Sequence, residues 1–149
     1  MLEMIYGDKE AVNNRSKVLF HETIDGVEAA IINVRGSHPC AYINVPKENW
    51  EIFLKKEGID SSKDAGYIED VFDIYVHGGI TYSGDVLPCS VLNIPGNWLG
   101  WDYAHCDDFL WNQFFPTPKD YEHVWKTQEI YDEIVEAIKE LKENYPAEQ

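Results

Sequence analysis

The chain has 149 residues, 44% of them hydrophobic and 13% aromatic, which excludes a disordered tail and supports one domain, 1–149, with its own core. Its formal net charge is −15, and Arg15 and Arg35 are its only arginines, so no direct nucleic-acid partner is expected. It holds no continuous apolar run of the ~18 residues that a membrane span needs, so no membrane partner is expected either.

The first residues lack the basic start and apolar run of a secretory signal. Residues 17–24 and 27–34 are β-prone and flank Asp25-Gly26, a pair suited to the positive φ angles of a two-residue hairpin turn. Arg35-Gly36-Ser37-His38-Pro39 is a turn cluster, and residues 40–45 are a third strand that Pro46 ends. Residues 49–57 form a short helix with Trp50, Phe53 and Leu54 on one face, stopped by Gly58. Residues 58–66 read as a loop.

Residues 68–76 lead into a fourth strand, and 84–97, with two prolines and two glycines, read as a long irregular loop. Residues 97–104 are the fifth strand. Residues 107–126 are irregular and aromatic, and are expected to cross the sheet or wrap over a site. A helix over 128–144 follows, capped by Thr127, with Ile130, Ile134, Ile138 and Leu141 at helical spacing. The predicted fold is α+β: a mostly antiparallel sheet of about five strands covered by the C-terminal helix.

Two stretches carry the residues suited to a site. In the first, His77 precedes the pair Gly78-Gly79, and Thr81 and Ser83 follow. Paired glycines let a backbone or ligand approach closely. Strand alternation would place Tyr75, His77, Thr81 and Ser83 on one face, with Ile74, Val76, Ile80 and Tyr82 towards the core. The second stretch runs from Trp98 to Asp108 and offers Trp101, Asp102, His105 and Asp107.

Convergence of His77, Asp102, His105 and Asp107 would supply two imidazoles and two carboxylates. Such a set can bind a divalent metal or run acid–base chemistry. No metal-ligand spacing signature is present, and no metal ligand is assigned. Cys106 adjoins His105 but points away on an extended chain, and is read as a buried, inert thiol. With Cys40 and Cys89 it makes an odd count without Cys-x-x-Cys, which fits reduced thiols in a cytoplasmic protein. His21, His38 and His123 show no partner pattern and are read as structural or exposed.

Three blocks carry a resemblance: Ala41-Tyr42-Ile43-Asn44-Val45-Pro46-Lys47, Val76-His77-Gly78-Gly79-Ile80-Thr81-Tyr82-Ser83, and Trp98-Leu99-Gly100-Trp101-Asp102-Tyr103-Ala104-His105-Cys106-Asp107. In this order they resemble a family of small uncharacterised bacteriophage and prophage proteins. The likeness covers roughly 40–140. It departs from the family at Trp101, Tyr103 and Cys106, where Phe, Cys and Gly are usual. The resemblance implies a phage or prophage setting and carries no activity over.

Three functional readings are therefore open. The first is a pocket for a small polar molecule, made by His77, Gly78, Gly79, Thr81, Ser83, Trp101, Asp102, His105 and Asp107; in a phage setting its concrete form is a sponge for a host signalling nucleotide. The second is a hydrolase, using either a metal or the His and Asp side chains as acid and base. The third is an acidic inhibitor of a host DNA-binding enzyme.

Overall fold

The computed structural model describes residues 1–60, 63, 68–88 and 92–147. Cys89 lies outside them, as does most of the loop expected over 58–66. The element order is α1 (Lys9–Asn14), β1 (Ser16–Ile24), β2 (Val27–Val34), β3 (His38–Asn44), α2 (Lys47–Glu57), α3 (Ile68–Val71), β4 (Tyr82–Val86), β5 (Pro95–Asp102) and α4 (Thr127–Asn144). The five strands form one sheet in the order β1-β2-β3-β5-β4, with every neighbouring pair antiparallel. The fold is α+β, as expected.

The first hairpin forms where Asp-Gly predicts it. Asp25 and Gly26 take φ values of 53° and 81°, the left-handed pair that matches strand twist in a two-residue turn. Alternation then sorts the sheet's two faces. Phe20, Ile31, Ala41 and Trp101 lie in register on one face, as do Ala29, Ile43 and Leu99 beside them. α4 packs Ile130, Ile134, Ala137, Ile138 and Leu141 into the same core. Burial of each large aliphatic side chain contributes about 2 kcal/mol. Ala30, Ile32, Cys40, Tyr42, Leu87 and Trp98 form a second, smaller core on the opposite face.

The helix starts slightly differently from expectation. Lys126 is the N-cap, and the Glu129 carboxylate accepts from its backbone N–H at 3.0 Å. Thr127 is the first helical residue; it is buried, and its hydroxyl accepts from the Met4 N–H at 2.5 Å.

The fourth strand is the main correction. Residues 72–81 are not in the sheet; β4 falls at 82–86, residues 84–86 of it in the stretch expected to be loop, and β5 begins two residues early at Pro95. The reason is where the backbone donors go. The N–H groups of Asp73, Tyr75 and His77 donate to Tyr145 Oη, Glu140 Oε1 and Glu133 Oε1, at 2.8, 3.2 and 3.2 Å. A segment whose N–H groups are satisfied by the side chains of α4 and Tyr145 has no need of a ladder partner. The expected facing holds before β4: Tyr75 is 88% exposed, Val76 is buried, and Ile74 and Ile80 pack against the same core. It fails in β4. Ser83 pairs with Leu99, on the helix face, and Tyr82 with Gly100, on the other.

Candidate functional site

Two tight turns build the site. In the first, Gly79 N–H donates to Val76 O at 2.9 Å, with His77 and Gly78 between them. Gly78 and Gly79 have φ values of 69° and 80°, conformations that cost a side-chain-bearing residue about 1–2 kcal/mol. In the second, Asp108 N–H donates to His105 O at 3.0 Å, with Asp107 in the left-handed region at φ 71°. That position falls on Asp107, not Cys106, and Asp tolerates it. The turns touch: a methyl group on Gly78 would lie 2.0 Å from His105 Nε2.

Asp108 is the organising carboxylate. Its side chain is only 3% exposed. Its Oδ2 accepts from His77 Nε2 at 2.7 Å and from the His105 N–H at 2.9 Å, and its Oδ1 accepts from Trp125 Nε1 at 2.8 Å. Burial alone would raise this carboxyl. The three donated hydrogen bonds outweigh it and hold Asp108 below the ordinary carboxylate range. An ionised carboxylate only accepts, so His77 presents Nε2–H to it and Nδ1 elsewhere.

The His77 ring is clamped further. It stacks on Tyr103, with centroids 5.1 Å apart and planes 5° from parallel, and packs against Trp125 at 4.8 Å. Tyr103 is fixed in turn: its hydroxyl donates to Glu133 Oε1 at 2.5 Å. Burial, together with the Glu133 carboxylate, pushes the Tyr103 phenol far above its ordinary value. The same Glu133 oxygen accepts from Trp101 Nε1 at 3.0 Å. Glu133 thus ties the end of β5 and the His77 backbone to α4.

His105 stands beside His77, its ring centroid 5.5 Å away at 71°. Its Nε2 meets Asp102 Oδ1 at 3.1 Å, an ion-pair distance. The approach lacks hydrogen-bond alignment, and that buried nitrogen has no hydrogen-bond partner among the described residues. Asp102 itself accepts from Ala104 N–H and from the Thr81 hydroxyl, both at 3.1 Å. His77 and His105 side chains remain 25% and 33% exposed, and neither Nδ1 makes a hydrogen bond among the described residues.

Of the predicted residues, His77, Gly78, Thr81, Asp102 and His105 therefore meet. Gly79 lies in the same turn with open space around its Cα. Ser83 turns away to Glu69 at 3.3 Å. Trp101 is buried in the helix-side core, out of a ligand's reach. Asp107 is exposed, its carboxylate near its neighbour Cys106 at 3.8 Å. Cys106 is exposed, not buried as expected, because it rides the outside of the 105–108 turn.

Sequence reading passed over Asp108, Trp125, Glu133 and His38. The tandem Asp107-Asp108 was the available signal, and the turn selects its second member. His38 is near enough to feel Asp102 and Asp108, but burial dominates and lowers its imidazole below the ordinary value. His21 and His123 also have carboxylate partners, Glu28 at 2.7 Å and Glu129 at 2.9 Å. Among the described residues, no group of three or more His, Cys, Asp or Glu side chains is placed to hold a metal ion. No helix among them is long and apolar enough to cross a membrane.

Comparisons with protein-family models, with curated proteins and with solved structures give no match.

Proposed function

We propose that this chain binds a small polar molecule over the paired imidazoles of His77 and His105, acting inside the host cell as a phage- or prophage-type accessory protein. The observation that supports it is the His77 ring: Nε2 is fixed by buried Asp108 while Nδ1 has no hydrogen-bond partner among the described residues. An imidazole anchored at one nitrogen offers the other in a fixed direction, which lowers the ordering cost of binding. The neighbouring His105 ring, with Thr81 and Asp102 beside it, adds polar contacts at hydrogen-bonding reach. The likeness to phage proteins makes a host signalling nucleotide the class to try first, recognised through its base and ribose, since only two arginines serve the whole chain. Isothermal titration with cyclic and ADP-ribose-type nucleotides tests it. Saturable heat that His77→Ala abolishes is the expected result; absence of heat with every member removes the nucleotide form.

A second reading is acid–base hydrolysis, favoured by the Asp108–His77 pair. A buried carboxylate that fixes the tautomer and orientation of an imidazole is how general bases are held. His105, 5.5 Å away, is placed to act as the second proton-transfer group. Turnover of phosphodiester or ester substrates, lost in His77→Ala and in His105→Ala, would favour this reading over simple binding.

A further inference from the structure

The segment between the two bridges of residues 108–123 forms an arm with a fixed root and an exposed tip. At the root, Phe109 N–H donates to His123 O and His123 N–H to Asp107 O, at 2.9 and 2.7 Å. Trp111 packs so tightly on Gly7 that an added Cβ there would sit 2.7 Å from its ring, and its N–H donates to Ser37 O at 3.0 Å. The tip is a built turn. Asn112 Oδ1 accepts from the N–H groups of Phe114 and Phe115 at 2.9 and 3.0 Å. Pro116 and Pro118 follow and restrict the backbone.

That turn holds large apolar side chains in water. Phe114 is 77% exposed and Phe115 68%, and Tyr121, six residues further on, is exposed as well. Beneath Phe115 lies a hollow of about 220 Å³, lined also by Phe109, Leu110, Lys119 and Glu122. Grouped exposed aromatics on a preorganised turn mark a contact surface, because aromatic anchors dominate interface energetics.

Charge selects the occupant. Outside the imidazole site, residues 109–122 carry two acids, Asp120 and Glu122, against one base, Lys119, in a chain of net charge −15. A second copy of the chain, an anionic membrane or a nucleic acid would each be repelled. A positively charged protein would be attracted and oriented. We infer that the Phe114–Phe115 tip docks into an apolar pocket on a basic partner protein, with the chain's net negative charge steering the encounter. This surface is separate from the imidazole site and does not depend on it.

The test is a displayed library of random short peptides selected on the immobilised full chain, with Phe114→Ser/Phe115→Ser as counter-target. Enriched peptides should combine net positive charge with a large apolar residue. They should bind the native chain about 30-fold more tightly than the double variant, the loss expected for removing an aromatic anchor. Raising salt should weaken them. Phe114→Ser alone, at a position almost free of packing, should keep the native melt and lose most of that binding. The inference is overturned by enriched peptides that are acidic or purely polar, or by no preference over the double variant. Self-association in sedimentation, or flotation with phosphatidylglycerol vesicles, that the same substitutions abolish would also overturn it.

Discussion

Gly78 lies against the imidazole of His105 so closely that a methyl group on its Cα would sit 2.0 Å from Nε2. This contact seats one turn on the other and sets the spacing of the two imidazoles. Gly79, with φ 80°, has nothing within 4 Å of the same virtual atom. The two neighbours therefore separate backbone strain from collision. Gly79→Ala should cost about 1–2 kcal/mol, the left-handed penalty alone. Gly78→Ala should cost about 2 kcal/mol more, since an overpacking term adds to the strain. Urea unfolding of both variants measures the difference, and only Gly78→Ala should shift the His105 ring resonances.

Asp108→Asn tests the carboxylate that receives His77, His105 and Trp125. An amide nitrogen on either side of the group would face one of three N–H donors. A buried donor left unpaired costs about 1–3 kcal/mol, so stability should fall by about 2 kcal/mol. Long-range ¹H–¹⁵N spectra should show the His77 tautomer change from that of the native chain. An unchanged tautomer with unchanged stability would mean that Asp108 does not orient His77.

Glu133 joins α4 to the site through one oxygen that accepts from His77 N–H, Trp101 Nε1 and Tyr103 Oη. Glu133→Gln keeps an acceptor oxygen and should cost about 1 kcal/mol. Glu133→Ala leaves the buried Tyr103 hydroxyl and the His77 N–H without their acceptor, while Trp101 Nε1 keeps Tyr103 Oη at 3.0 Å; it should cost about 3 kcal/mol, or about 10 °C in Tm. Thermal melts of the pair check the order.

Much of this fold was legible because its signals are local. The Asp25-Gly26 turn, the alternating strands β1–β3 and the apolar stripe of α4 need no distant information. Residues 73–77 were misread for a physical reason. Their side chains are β-prone, but the N–H groups of Asp73, Tyr75 and His77 donate to Tyr145, Glu140 and Glu133, 56 to 72 residues away. Periodicity reports conformation and not the partner. The same limit applies to the site. His77 and Asp102 can be picked out by type, but choosing Asp108 over Asp107 needs the turn in which Asp107 takes the left-handed position.

Stability should fall at both ends of the pH range. On the acid side, Asp108 titrates lower in the folded chain than its unfolded value of about 3.9. Its contribution is complete above that value and lost as pH falls through the folded one. His38, lowered by burial, acts earlier: below about 6.5 the unfolded chain takes up a proton that the folded chain resists, so stability declines. On the alkaline side, Tyr6, Tyr103 and Tyr145 are all raised, foremost by burial. Above about pH 10 the unfolded tyrosines ionise first, and stability is lost again. Denaturant midpoints across pH should trace this dome, and His38→Gln should flatten its shoulder below pH 6.5.

¹⁵N spectra of the histidine rings during nucleotide titration report whether His77 and His105 present their Nδ1 atoms to a small polar ligand. Saturable shifts of the His77 and His105 Nδ1 signals are expected, with those of His21 and His123 unmoved. Bound nucleotide that leaves both signals in place, or that moves His21 and His123 equally, would contradict that mode of binding.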